Sequence, residues 1–219
     1  MRSSRQLELV FSSRGGRRPG AGRKPGPGRR KVTHRKRPAH DPHHPVHVTL
    51  RACDDLPSLR LGRVWLALER ALSRASNGTF RVLHYSVQWD HAHLIVEADA
   101  PPRLASGMQG LAIRSAKAIN RALGRRGRVW NDRYHSRALV SPREVRNALV
   151  YVLQNWKKHG RAVGALDPRS SAKWFEGWRE VVVPAIRHPS PVPPPHTWLA
   201  RTGWQRHGLV SRAEGPSRG

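Results

Sequence analysis

His91-Ala92-His93 stands inside an alternating run, Asp90-His91-Ala92-His93-Leu94-Ile95-Val96-Glu97. A strand directs residues i and i+2 to one face, so both imidazoles can meet a single cation. Further on, Tyr151 and Asn155 lie four apart in a stretch of helical spacing, and four apart on a helix means one face. Two imidazoles and an amide oxygen leave open positions on a divalent ion, which can then grip a phosphate. A tyrosine hydroxyl beside that phosphate can attack phosphorus and become esterified to the cut strand, which stores the phosphodiester energy for rejoining. These are the parts needed to cut single-stranded DNA, with Mg²⁺ or Mn²⁺ as the expected ion.

The histidine pair needs its context, because with 13 His in 219 residues roughly one such pair is expected by chance. On the strand, Ala92, Leu94, Val96 and Ala98 make an apolar face. His91 and His93 point the other way, beside Ile95, and need something polar to face. Two hydrogen-bonded structural histidines would satisfy the same demand. The helix adds weight to the cation-binding alternative. Its core stripe is Val145, Ala148, Leu149, Val152 and Trp156, and Tyr151 and Asn155 fall off that stripe at about 100° per residue. Glu144, Asn147 and Lys158 continue the same polar row, whereas a core-filling tyrosine belongs on the stripe. Gln154 is the rival amide, and the i+4 spacing favours Asn155. A phenol holds its proton near neutral pH, and Lys158, a turn or two away, is placed to favour the phenolate.

Forty-one Lys and Arg against fourteen Asp and Glu give a net charge of +27, which implies a polyanionic partner, most simply nucleic acid. A membrane surface fits poorly, since no long basic helix has one strongly apolar face, and nothing suggests a small-molecule substrate. The single Cys53 excludes an internal disulfide framework and a cysteine-based zinc site. No stretch reaches the length of a membrane span, and Leu7 to Phe11 is too short and interrupted for a signal-peptide core. The expected setting is reducing and cytoplasmic, at the nucleoid.

Residues 1–45 read as a disordered Arg/Gly/Pro arm, residues 46–160 as the catalytic domain and residues 161–219 as a Trp/Pro-rich extension. In the arm, Arg17-Arg18 and Arg23-Lys24 sit in two similar Gly/Pro-flanked units. Such units either gather phosphates without reading sequence or lie in a narrow minor groove. From Val46 the pattern predicts a strand to Ala52, a helix over 61–75 stopped by Asn77-Gly78, and strands over 80–88 and 91–98. It then predicts a helix over 103–123, a strand over 133–140 and a helix starting at Ser141-Pro142-Arg143-Glu144, a capping box with proline in the first turn. That order suggests an α+β sandwich with helices on an antiparallel sheet. Pro189 to Pro195 reads as an extended connector. The tail tryptophans, among them Trp174, Trp178, Trp198 and Trp204, are expected to pack onto the domain rather than bind bases.

The chain resembles the HUH single-tyrosine transposases, and within them the REP-associated tyrosine transposases of the IS200-like superfamily. The resemblance rests on His47-Val48-Thr49-Leu50-Arg51, the run from Asp90 to Glu97, Trp130-Asn131-Asp132-Arg133-Tyr134-His135 and the Tyr151-to-Asn155 spacing, over roughly residues 46 to 160. It implies a ferredoxin-like palm with helices on one face of the sheet. It also implies His91, His93 and Asn155 as metal ligands and Tyr151 as nucleophile. The implied substrate is single-stranded DNA bearing an imperfect hairpin, cut to leave a 5′-phosphotyrosine and a free 3′-hydroxyl. The chain departs from that pattern in having Ala92 for a larger hydrophobe, Asp90 for asparagine and Trp156 for proline, none of which removes a group the reaction needs.

For DNA grip the sequence offers Arg114, Lys117, Arg121, Arg125, Arg126 and Arg128 around the 103–123 helix and its exit, then Arg133, Arg137 and Lys158. The same residues would also make an ordinary solvated basic face. Three other functions compete. The first is a hairpin-binding protein that keeps the pocket only for its fold. The second is a replication or transfer initiator, which often carries a second tyrosine or a helicase. The third is a zinc hydrolase, which would need Asp90 or Glu97 as water activator. Monomer and homodimer are both compatible with the sequence.

Overall fold

The computed structural model describes residues 38–159, 165–180 and 189–216. Arg17, Arg18, Arg23 and Lys24, and with them the expected disorder of the arm over 1–37, lie outside the described residues. The elements are β1 (Val46–Arg51), α1 (Gly62–Ser73), β2 (Phe80–Val87), β3 (His91–Ala98), α2 (Pro101–Leu123), β4 (His135–Ala138), α3 (Pro142–Gln154) and a short α4 (Trp198–Arg201). The strands form one sheet in the order β2-β3-β1-β4, and every neighbouring pair is antiparallel. Each helix crossover thus skips one strand, β3 between β1 and β2 and β1 between β3 and β4, which is the ferredoxin-like arrangement.

The period of two along β1 and β3 sorts the sheet into two faces. Val46, Val48 and Leu50, with Leu94, Val96 and Ala98, pack under Val64, Trp65 and Leu68 of α1 and Met108, Leu111 and Ile119 of α2. The indole N–H of Trp130, also in this core, donates to Ser115 Oγ at 3.1 Å and to the Ala112 carbonyl at 3.2 Å. Gly107 lets α2 lie close to the sheet, since a Cβ there would stand 2.2 Å from the Phe80 ring. Helices on one face therefore describes α1 and α2 only. The opposite face carries Leu83 and Ile95, and α3 covers it with Val145, Leu149 and Val152. Those two apolar side chains, set among polar ones, needed a lid of their own.

Two local expectations are corrected. α1 ends at Ser73 rather than at Asn77-Gly78. Asn77 instead accepts with Oδ1 from the backbone N–H of Thr79 and of Phe80, at 2.9 and 3.0 Å, so it builds the turn into β2. α3 is also buried beyond a single stripe: Val150, Leu153 and Gln154 are covered as well. The tail does this. Phe175, Trp178, Trp204 and Val210 join the core of that face, and Arg146 donates to the carbonyls of Gly208 and Leu209 and pairs with Glu214 at 2.8 Å. Trp178 and Trp204 pack as expected, whereas Trp198 stays half exposed under the Arg206 guanidinium. The start of α3 is as read: Ser141 Oγ accepts from the Glu144 N–H, and Glu144 Oε2 accepts from the Val140 N–H at 2.7 Å.

Glu97 ties the tail to the sheet from inside. Its carboxylate is fully buried and accepts from Arg81 Nε at 3.2 Å, from the backbone N–H of His196 and Thr197 at 2.8 and 2.9 Å, and from Thr197 Oγ1 at 2.7 Å. Removing it takes one of two carboxylates from the buried Arg81 guanidinium, which keeps Asp99, and strands two backbone donors. Glu97→Ala is expected to lower unfolding free energy by about 3–5 kcal/mol in chemical denaturation, and limited proteolysis should then cut first between residues 189 and 216.

Candidate active site

The strand register assembles the site. On the face covered by α3, His93 of β3 lies opposite Thr49 of β1 and Ser86 of β2, and Thr49 lies opposite His135 of β4. One polar row thus crosses all four strands. His91 lies opposite Arg51 in the neighbouring row, and His47 lies between Ile95 and Arg137 in the next.

Each histidine of the pair has its Nδ1 engaged. His91 Nδ1 is 2.7 Å from Asp90 Oδ1, and His93 Nδ1 is 3.1 Å from Thr49 Oγ1. Burial pushes the Asp90 carboxyl up, but the His91 hydrogen bond and the charges of His91 and Arg51 outweigh it and hold the group below its ordinary range. A carboxylate can only accept, so His91 donates from Nδ1, which leaves Nε2 as the ring nitrogen turned away from Asp90. Arg51 braces the arrangement at 3.3 Å from Asp90.

α3 brings Tyr151 onto the pair. The ring centroids are 4.7 Å apart for His91 and His93 and 4.9 Å apart for His93 and Tyr151, both edge to face. His47 completes the group at 5.3 Å from His93 and 5.6 Å from Tyr151. Burial, aided by the nearby His135 and Arg137, lowers the His47 imidazole to about 4. It is therefore neutral at physiological pH, and its buried Nε2 has no hydrogen-bond partner among the described residues. The sequence reading gave His47, Thr49, Arg51 and Ser86 no role. The signal was the alternation of β1, which puts three polar side chains on one face of a central strand.

The two candidate amides part company. Gln154 is committed to the tail, its Nε2 donating to the Ser211 carbonyl at 2.9 Å and its Oε1 accepting from Lys157. Asn155 ends α3 one turn beyond Tyr151, is 2% exposed, and has an amide nitrogen without a hydrogen-bond partner among the described residues. A half-turn about its last side-chain bond puts the oxygen in that nitrogen's place. Among the described residues no three His, Cys, Asp or Glu side chains are grouped to hold a metal. A cation here would rest on two imidazoles, an amide and an incoming phosphate.

The basic candidates divide between layers. Arg114, Lys117 and Arg121 are exposed on α2, the layer away from the histidines. Arg125 pairs with Asp55 at 2.9 Å, Arg128 Nε donates to the Trp130 carbonyl at 2.8 Å, and Arg126 and Arg133 are exposed. Arg137, paired with Glu144 at 2.6 Å, is on the site's face. Lys158 follows Asn155 in a 3-10 turn, and its side chain lies outside the described residues. Glu97 is committed to Arg81 and the tail and Asp90 to His91, so neither is placed to activate a zinc-bound water.

Residues 67–155 match the family model described as Transposase IS200 like. This part of the chain is similar to that family. The IS200-like segment contains His91, His93, Tyr151 and Asn155, and stops short of β1 with Thr49. A solved structure described as the REP-associated tyrosine transposase bound to a REP hairpin is similar at 18% identity and a TM-score of 0.48, over 59% of this chain and 75% of that one. No curated protein matches. No helix among the described residues is long and apolar enough to cross a membrane.

His84, on the site's face of β2, shows what burial costs an imidazole in acid. It packs edge-on against Phe175 at 5.3 Å, and burial lowers it from 6.5 to about 4. The unfolded chain then binds more protons than the native one between these values. Stability contributed by this group is complete above 6.5 and is lost as pH falls towards 4. His47 acts in the same direction. Unfolding free energy should drop by on the order of 3 kcal/mol per group from pH 7 to pH 4, and His84→Gln should flatten that slope in denaturant titrations.

Proposed function

We propose that this chain is a metal-dependent single-strand DNA endonuclease and strand transferase, a transposase that cuts beside a DNA hairpin and holds the cut strand on Tyr151. The observation that carries the reading is the packing of Tyr151 against His93, with His91 next to it, inside an IS200-like segment. The donor chemistry fits a hard or borderline divalent ion: Nδ1 is engaged in both rings, and a buried amide follows one helical turn from the tyrosine. Bound there, Mg²⁺ or Mn²⁺ would supply positive charge to the phosphate under attack.

His91, His93 and Asn155 hold the cation. Asp90 and Thr49 fix the two rings from behind. Tyr151 gives up its phenol proton to solvent and brings its oxygen to phosphorus: the O–P bond forms, the bond to the 3′ oxygen breaks, and the leaving oxygen takes a proton from solvent. A 5′-phosphotyrosine and a free 3′-hydroxyl result, and the reverse step rejoins DNA without an external energy source. Lys158 and the arm's Arg17, Arg18, Arg23 and Lys24 contribute charge towards DNA, as do Arg133 and Arg137. Arg114, Lys117, Arg121, Arg125, Arg126 and Arg128 attract more distant phosphates.

Labelled single-stranded hairpins from the DNA flanking the coding region, incubated with Mg²⁺ or Mn²⁺, should yield a covalent adduct on a denaturing gel. Tyr151→Phe and His91→Ala should abolish it. Hairpin binding without adduct in both ions would favour a binding protein instead. Thr49→Val and Asp90→Ala leave every proposed ligand in place, so they should shift the Mn²⁺ concentration for half-maximal adduct upward by about 10–100-fold. An unchanged Mn²⁺ dependence would remove the positioning role of both residues.

A further inference from the structure

The turn between β2 and β3 carries a side chain that the cleavage reading does not use. Trp89 is 71% exposed, more than any other large apolar side chain among the described residues. An indole is costly to leave in water unless something covers it in use. The backbone beneath it is pinned. Its carbonyl accepts from the Leu59 N–H at 2.8 Å, and the Asp90 carbonyl accepts from the Ala52 N–H at 2.7 Å. Gln88, on its other side, is buried and donates to Ser86 Oγ at 2.6 Å. The indole is thus held out from a fixed turn, two residues before His91.

The surroundings choose the occupant. Trp89 is followed in the chain by Asp90, which pairs with Arg51 at 3.3 Å, so charge adjoins the indole in sequence. A flat π face one residue along the chain from that ion pair, in a protein of charge +27, suits a nucleobase carried on a phosphate backbone. An unpaired base is required, because a paired one has its faces covered by its neighbours in the duplex.

We infer that Trp89 is a stacking platform for an unpaired base of single-stranded DNA next to the phosphate that is cut. This rests on the single-strand cleavage reading and adds to it: the indole fixes where the flexible strand enters and so which phosphate reaches Tyr151.

The test compares full-length protein with Trp89→Ala and Trp89→Phe by fluorescence anisotropy, without divalent ion so that no strand is cut. The probes are a blunt hairpin from the flanking DNA, the same hairpin with an unpaired flank, and flanked hairpins with a single abasic site at each position. Trp89→Ala should weaken the flanked hairpin about tenfold, with Trp89→Phe retaining most of the affinity. One abasic position should reproduce the loss in the parent and add nothing in Trp89→Ala. Equal effects on blunt and flanked hairpins, or no effect on either, would overturn the inference. The two claims separate when Mn²⁺ is added. Adduct formation indifferent to Trp89 sinks the platform alone, whereas Trp89-dependent flank binding with no adduct sinks the cleavage reading alone.

Discussion

A polar side chain on a sheet that is covered on both faces has to find partners, and the rest of this molecule is arranged around that demand. β1 and β3 are central strands. One of their faces is Val, Leu and Ala packed under α1 and α2, and the other is His47, Thr49 and Arg51 beside His91 and His93. Burying such a face under a helix is unfavourable unless the polar groups bond one another. They do so in part: Thr49 bonds His93, and Asp90 bonds both His91 and Arg51. The rings of His47 and His93 pack against Tyr151.

The tail extends the same logic to the outer side of α3. A helix laid on a half-polar sheet cannot draw much stability from that contact, and here it gains a second buried side. Phe175, Trp178 and Trp204 supply the apolar area, while Arg146, Gln154 and Glu97 fix the chain by hydrogen bonds to backbone atoms of the tail or its charged groups. Tyr151 therefore projects from a helix clamped between two layers. The nucleophile role proposed for Tyr151 depends on such support, since small displacements of a reacting group are expensive in rate.

The order of elements along the chain, the α3 capping box and the off-stripe position of Tyr151 were legible because each follows from a local rule: alternation, spacing or turn chemistry. Gln154 against Asn155 was legible only as a preference from the i+4 spacing, and the tail's claim on Gln154 is a long-range fact that spacing does not carry. Thr49 and His47 were not legible, because their importance comes from strand register, a long-range property. The end of α1 was misread for a related reason. Asn77 serves a helix cap and an Asx turn equally well by sequence, and the start of β2 made it the latter. Basic residues were the least legible: charge is visible in sequence, but the layer it occupies is not, and Arg114, Lys117 and Arg121 fall on the far side of the sheet.

The central claim is that one polar face, built by β1 and β3 and closed by α3, forms a single cation site next to Tyr151. Direct Mn²⁺ binding to the full-length protein, followed by electron paramagnetic resonance without DNA, addresses it without recourse to activity. The account predicts one site that disappears in His91→Ala and in His93→Ala, weakens in Asn155→Ala and persists in Gln154→Ala. Mn²⁺ binding that survives loss of both histidines, or that depends on Gln154 rather than Asn155, would contradict it.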